Sequence, residues 1–225
     1  MKTLWLFTPW FVYSNESILL AARYNIPNAA ELLRARPAHG EFARTELPTA
    51  QLEITDEDFD DDCFQMGVFI FVSEKMRRAM ALGPSDIQYF DVDTSRSPPL
   101  PRSKHYQLLH VAVAEDVSDP EHSDYTYRHR PDGCELYGDP RAVAFRQGAD
   151  PAHELFYDRF FKVAFCTDAF ALRVLWAGCT GARFLDPAHL DHRGGRFRTL
   201  RGIEEAGDWD PVRNTYSTKL VREIP

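Results

Sequence analysis

Cysteine is scarce and scattered: Cys63, Cys134, Cys166 and Cys179 are the chain's four, and no two form a C-x-x-C pair. A zinc ribbon or a redox motif is thereby excluded, and a disulfide framework is out of place in a chain of 225 residues. With 44% apolar and 13% aromatic residues, the chain can fill a core without such staples. No apolar run approaches the ~18 residues of a membrane span. The N-terminal MKTLWLFTPWFVYSNES is interrupted by Thr8 and Pro9 and has no small-residue cleavage site. It therefore reads as a strand over Thr3–Phe7 and not as an export signal, and a cytoplasmic protein is expected. An excess of positive charge is also missing. The net charge of −8 argues against nonspecific binding to nucleic acid or to an anionic membrane, and suits a basic partner or plain solubility. There is no Walker Lys-Ser/Thr pair, no G-x-G-x-x-G and no nucleophile elbow. No cofactor and no metal are expected.

What the chain does have is a well-punctuated central stretch, Gly67 to Phe90. Val68–Val72 is an unbroken apolar run, which predicts a strand covered on both faces. Ser73 follows as a helix N-cap, with Glu74 at the positive end of the helix dipole. Met76, Ala79 and Met80 fall on one helical stripe, and Gly83-Pro84 is the expected stop. Ile87–Phe90 then reads as a second strand. The pattern returns near the C-terminus: strand Phe161–Cys166, cap Thr167, first-turn Asp168, stripe Phe170, Val174 and Ala177, stop Gly178, strand Ala182–Leu185. Any capped strand–helix–strand unit would look this way, so the echo alone specifies a fold and not a reaction. Cys166, inside an apolar strand, reads as a small core residue.

Elsewhere, Asn28–Arg36 predicts a helix ended by Pro37, and residues 38–52 read as irregular. In LEITDEDFDDDCF the acids Glu53, Asp56, Glu57, Asp58, Asp60, Asp61 and Asp62 surround Phe59. The run is either a solvated face or an acidic patch that meets a basic partner. It lacks the ligand alternation, Gly and terminal Glu of a calcium loop. Tyr106–Val113 predicts a strand on which His105 and His110 cannot share a face. Glu115, Asp116, Asp119, Glu121, His122 and Asp124 gather around Pro120, but without a fixed helical His–Glu spacing they read as turn formers and not as metal ligands. Tyr125–Tyr137 reads as a hairpin turning at Asp132-Gly133. Ala152–Phe160 is open between a short helix and an aromatic-rich approach to the second unit. Near the end, His192, Arg193, Arg196, Arg198 and Arg201 around Gly194 and Gly195 form a basic loop, and the last residues a short strand.

GVFIFVSEKMRRAM with Tyr89-Phe90, the Tyr106–Val113 strand leading to Asp116 and Asp119, and FKVAFCTDAFALRVLWAGCTGARF together resemble the eleventh family of bacterial immunity proteins from polymorphic toxin systems. Ser73, Thr167, Gly181 and Phe184 stand at the matching places, and the likeness spans Phe64 to Leu185. The resemblance implies an α+β protein that binds and neutralises a cognate toxin domain made by the same cell, with no catalytic residues to carry over. The expectation is therefore one α+β domain over 1–225, a mixed β-sheet carrying both strand–capped helix–strand units. The candidate toxin-binding residues are Asp56, Glu57, Asp58, Asp60, Asp61 and Asp62. Two alternatives stay open: a hydrolase using His105, His153, His189 or His192 with nearby carboxylates, and a non-catalytic interaction module of another pathway.

Overall fold

A computed structural model describes residues 3–11, 22–25, 49–55, 59–66, 69–100, 104–129, 135–190, 196–200, 202–210 and 215–223. In the N-terminal half the strands are β1 (Leu4–Phe11), β2 (Ala22–Asn25), β3 (Ala50–Ile54), β4 (Cys63–Met66), β5 (Phe69–Ser73), β6 (Ile87–Asp93), β7 (Tyr106–Val111) and β8 (Ala114–Glu115). The remainder are β9 (Asp124–His129), β10 (Glu135–Ala142), β11 (Leu155–Asp158), β12 (Ala164–Thr167), β13 (Ala182–Leu185), β14 (Arg196–Thr199), β15 (Gly202–Asp210) and β16 (Thr215–Glu223). Helix α1 (Glu74–Met80) follows β5, and helix α2 (Asp168–Trp176) follows β12. The fold is α+β with mixed sheets. Its main path runs β16-β15-β14-β13-β1-β4-β5-β7-β6-β3-β2, with β12, β11 and β8 branching from β1 and a separate β9–β10 hairpin.

The echo in the sequence is a repeat of topology. β5 and β6 each pair antiparallel with β7, so they run parallel to each other with β7 between them and α1 as the connection. β12 and β13 stand in the same relation to β1, with α2 as the connection. Each unit is a split strand–helix–strand motif. The two are joined where Trp10 and Phe11 of β1 pair in parallel with Phe64 and Gln65 of β4.

Alternation then sets the cores. In β5, Ile70 and Val72 face the helices and pack with Met76, Met80, Phe170, Ala171 and Val174. Phe69 and Phe71 face the other way, into a cluster with Leu52, Ile54, Phe64, Phe90 and Leu108. β5 is buried on both faces, as its unbroken apolar run predicts. Behind the second unit, Leu4, Phe156, Phe161, Phe165 and Leu185 form a third cluster. The helix-side cluster spans both units.

Several boundaries differ from the sequence reading, each for a local reason. α1 ends at Met80, not at Gly83, because Ala81 takes a left-handed conformation (φ 49°, ψ 35°) and caps it. In α2 the inward stripe is Phe170, Ala171 and Val174, while Ala177 is the exposed C-cap. Gly178 (φ 65°) does stop that helix, with Gly178 N–H bonding the Leu175 carbonyl and Cys179 N–H the Val174 carbonyl, a Schellman closure. The strand expected from Phe161 begins only at Ala164. The backbone N–H groups of Phe160 and Phe161 donate to the Asp158 carboxylate instead, turning β11 back onto β12. Residues 50–52, read as irregular, open strand β3, in which Ala50, Leu52 and Ile54 are buried on one face. Arg196 and Arg198 lie on β14, opposite Glu205 and Ile203 of β15, and not in a loop. The closing strand is longer than expected and pairs with β15. The expected helix 28–36, the Asp132-Gly133 turn, and residues 191–195 and 201 lie outside the described residues.

Candidate functional site

Among the described residues, the densest polar construction sits where the acidic run meets both helices. Asp62 is 1% exposed. Its Oδ1 accepts from the Ser73 hydroxyl at 2.8 Å and from Lys104 Nζ at 3.1 Å. Its Oδ2 accepts from Lys75 Nζ and from the Thr180 backbone N–H, each at 3.1 Å. Burial pushes this carboxyl up, but the Thr180 N–H, the Ser73 hydroxyl and the two ammonium groups outweigh burial and hold it below the usual aspartate range. Ser73 is thus bonded twice, donating to Asp62 and accepting from Met76 N–H as the cap of α1.

The backbone continues the junction. The Asp62 and Cys63 N–H groups both donate to the Thr180 carbonyl at 3.1 Å, and Thr180 Oγ1 donates to the Asp60 carbonyl at 2.7 Å. Gly181 has φ 78°, and a Cβ there would lie 2.0 Å from the Cys63 carbonyl oxygen, so only glycine fits. Tyr106 donates its hydroxyl to the Asp61 carbonyl at 2.7 Å, and burial raises its pKa. Burial likewise raises the thiols of Cys63, Cys166 and Cys179, the last to about 11; all three are buried and free, so the core role expected of Cys166 holds.

The helices are also fastened to each other. Arg173 of α2 donates to the Ala79 and Met80 carbonyls at the C-terminus of α1, at 3.1 and 2.7 Å, while gripping Glu154 with both terminal nitrogens. Lys75 of α1 donates to the Gly178 carbonyl just past α2 at 2.5 Å. Arg173 thus satisfies terminal carbonyls of α1, and Lys75 holds the carbonyl of the glycine that stops α2.

The candidate toxin-binding residues therefore divide. Asp60 is exposed, with Oδ1 2.9 Å from Lys104 Nζ. Asp61 and Asp62 are buried. Asp56, Glu57 and Asp58 lie outside the described residues. The residues that sequence reasoning missed are the basic ones, Lys75, Lys104 and Arg173. Their roles depend on contacts across 13 to 103 positions of sequence, for which no local pattern exists.

The histidines are placed as follows. His153 Nδ1 lies 2.6 Å from Glu115 Oε1, with Nε2 4.0 Å from Asp86 Oδ1. His189 Nδ1 is 3.2 Å from Asp186 and His122 Nδ1 is 2.8 Å from Asp119, both exposed. His105 lines a cleft of about 390 Å³ with Glu74 and Asp91. Those carboxylates are engaged, Glu74 with Arg78 and Asp91 with Gln107, each at 2.6 Å. His110 is buried on β7, whereas His105 lies just before that strand and is exposed. Among the described residues, no three His, Cys, Asp or Glu side chains converge to hold a metal ion. No helix there is long and apolar enough to cross a membrane.

A model of the immunity protein family (Imm11) matches residues 15–189. The chain belongs to this family. The Imm11 match takes in β2 to β12, both helices and β13, so the junction around Asp62 and the paired helices lie wholly inside it. It reaches further towards the N-terminus than the motifs from Phe64 onward, and ends before β14. A comparison with curated proteins finds no match.

Proposed function

We propose that this Imm11 protein binds a cognate bacterial toxin domain stoichiometrically and neutralises it in the cytoplasm of the cell that makes both, as part of a polymorphic toxin system used in competition between bacteria. The observation that carries the reading is the family match over residues 15–189. The site chemistry supports it. The polar contacts around Asp62, Asp158 and Arg173 are closed within the protein and fasten elements together, which is how a rigid binding scaffold is built. Nucleic acid and membrane are not proposed as partners, in keeping with the net charge of −8.

The acidic run contributes to this reading as a surface that meets a basic toxin face, through Asp60 and the neighbouring Asp56, Glu57 and Asp58. Asp62 serves it from inside, by bonding Lys75 of α1 and Thr180 just past α2, while the Asp61 carbonyl accepts from Tyr106 of β7. Co-expression with the toxin-like C-terminal domain encoded beside this gene tests the function: growth rescue and an equimolar co-purifying complex are expected. No rescue and no complex would refute it. Replacing Asp58 and Asp60 with Asn tests the charge contribution without touching the buried pair; a slower association rate that converges on wild type at high salt is expected.

A further inference from the structure

We infer that the solvent face of α2, centred on Trp176, is the surface on which the toxin domain docks; this rests on the immunity reading above. Trp176 is 81% exposed, the one large apolar side chain so exposed among the described residues. It is not an isolated accident of the surface. Apart from Asp168 and Arg173, every residue of α2 is apolar, and the two charged ones are turned to internal work: Asp168 accepts from the Trp5 indole N–H at 2.9 Å, and Arg173 caps α1. With Phe170, Ala171 and Val174 buried, Ala169 and Trp176 are exposed and Leu172 lies half-buried between them at helical spacing. A helix apolar all round belongs in an interior, yet this one lies at the surface.

The repeat supplies an internal comparison. α1 occupies the equivalent place in the first unit and starts from the equivalent cap, Ser73 for Thr167. The positions that Lys75 and Arg78 hold after Ser73 are held by Ala169 and Leu172 after Thr167. Lys75 is engaged with Asp62 and Gly178, but Arg77 and Arg78 give α1 a charged solvent face, so packing within the fold does not require an apolar one in α2. A partner does.

Charge selects the occupant. Two copies of a chain carrying −8 each repel, which disfavours self-association through this face. In the turn after α2, four residues past Trp176, Thr180 Oγ1 donates to the Asp60 carbonyl, which places the exposed Asp60 at the C-terminal end of the helix that carries the tryptophan. The complementary surface is an apolar pocket that takes an indole and has a basic rim, and tryptophan is among the residue types that most often dominate an interface.

The test uses the full chain and an inactivated form of the neighbouring toxin domain. Trp176→Asp should weaken binding by about 100-fold and abolish protection, since a central tryptophan is of hot-spot type. Trp176→Phe should recover part of both, and Arg78→Ala on α1 should bind like wild type. Melting curves should be unchanged for Trp176→Asp, because an exposed residue holds nothing else. A wild-type complex that Trp176→Asp leaves within about threefold of its affinity, far short of a hot-spot loss, would overturn the docking face and leave the immunity function standing. So would a dimer of the chain that Trp176→Asp dissociates in sedimentation, or a lowered melting temperature showing that the chain itself covers this face. Absence of any complex with the wild-type chain would overturn both readings.

Discussion

Asp62 shows how one side chain can change the meaning of an acidic run. A carboxylate 1% exposed is tolerated only because two lysines, a hydroxyl and a backbone N–H surround it. Replacing it with Asn leaves both lysines without their shared anion and should lower unfolding free energy by roughly 3 kcal/mol at neutral pH, the scale of breaking a buried ion pair. The pH dependence has a definite sign. The folded state holds this carboxyl below the usual aspartate range, so its contribution is complete above the unfolded-state pKa and is lost as pH falls through the lower folded-state pKa. Urea unfolding at pH 7 and at progressively lower pH should show the gap between wild type and Asp62→Asn closing in acid. A constant gap down to strongly acidic pH would mean that ionisation is not the source of the effect.

At the scale of elements, the two helices are short enough that their ends matter more than their lengths. α1 has seven residues, so its terminal carbonyls are a large part of its backbone, and Arg173 satisfies Ala79 and Met80 from the neighbouring helix. Arg173→Ala should cost about 2 kcal/mol, within the range for charge-assisted hydrogen bonds in partly buried positions. Arg173→Lys should restore little of it, because one ammonium cannot hold two carbonyls and both oxygens of Glu154 in a plane. A double-mutant cycle between Arg173→Ala and Glu154→Ala, read by chemical denaturation, should give a coupling of about 1 kcal/mol; strict additivity would refute the shared geometry.

Across the whole molecule, the helix-side core decides cooperativity. Ile70, Val72, Met76 and Met80 from the first unit share one cluster with Phe7, Cys166, Phe170, Val174 and Phe184 from the second. Neither unit can open without exposing the other's buried side chains. We therefore expect the two to unfold in one transition, and Met76→Ala, at about 2–5 kcal/mol for a buried methionine, to lower the midpoint seen by probes placed in either unit. Separate midpoints, with only the first unit shifted, would show that the repeats are independent.

The sequence by itself determined what depends on neighbours along the chain. The Ser73 and Thr167 caps, the doubly buried β5, the Gly178 stop, the β13 strand and the two capped units all follow from spacing, β-branching and capping chemistry, which act over a few residues. It also carried the family, through those same motifs. Tertiary structure alone decided that the echo is a topological repeat, since β7 and β1, the strands that complete the units, are distant in sequence from one or both of their partners. It likewise decided where the charges go. Asp60 points out while Asp61 and Asp62 point in, and Lys75, Lys104 and Arg173 become internal cations. Whether a carboxylate is solvated or buried depends on which donors folding brings to it from elsewhere in the chain, and local pattern holds no record of that.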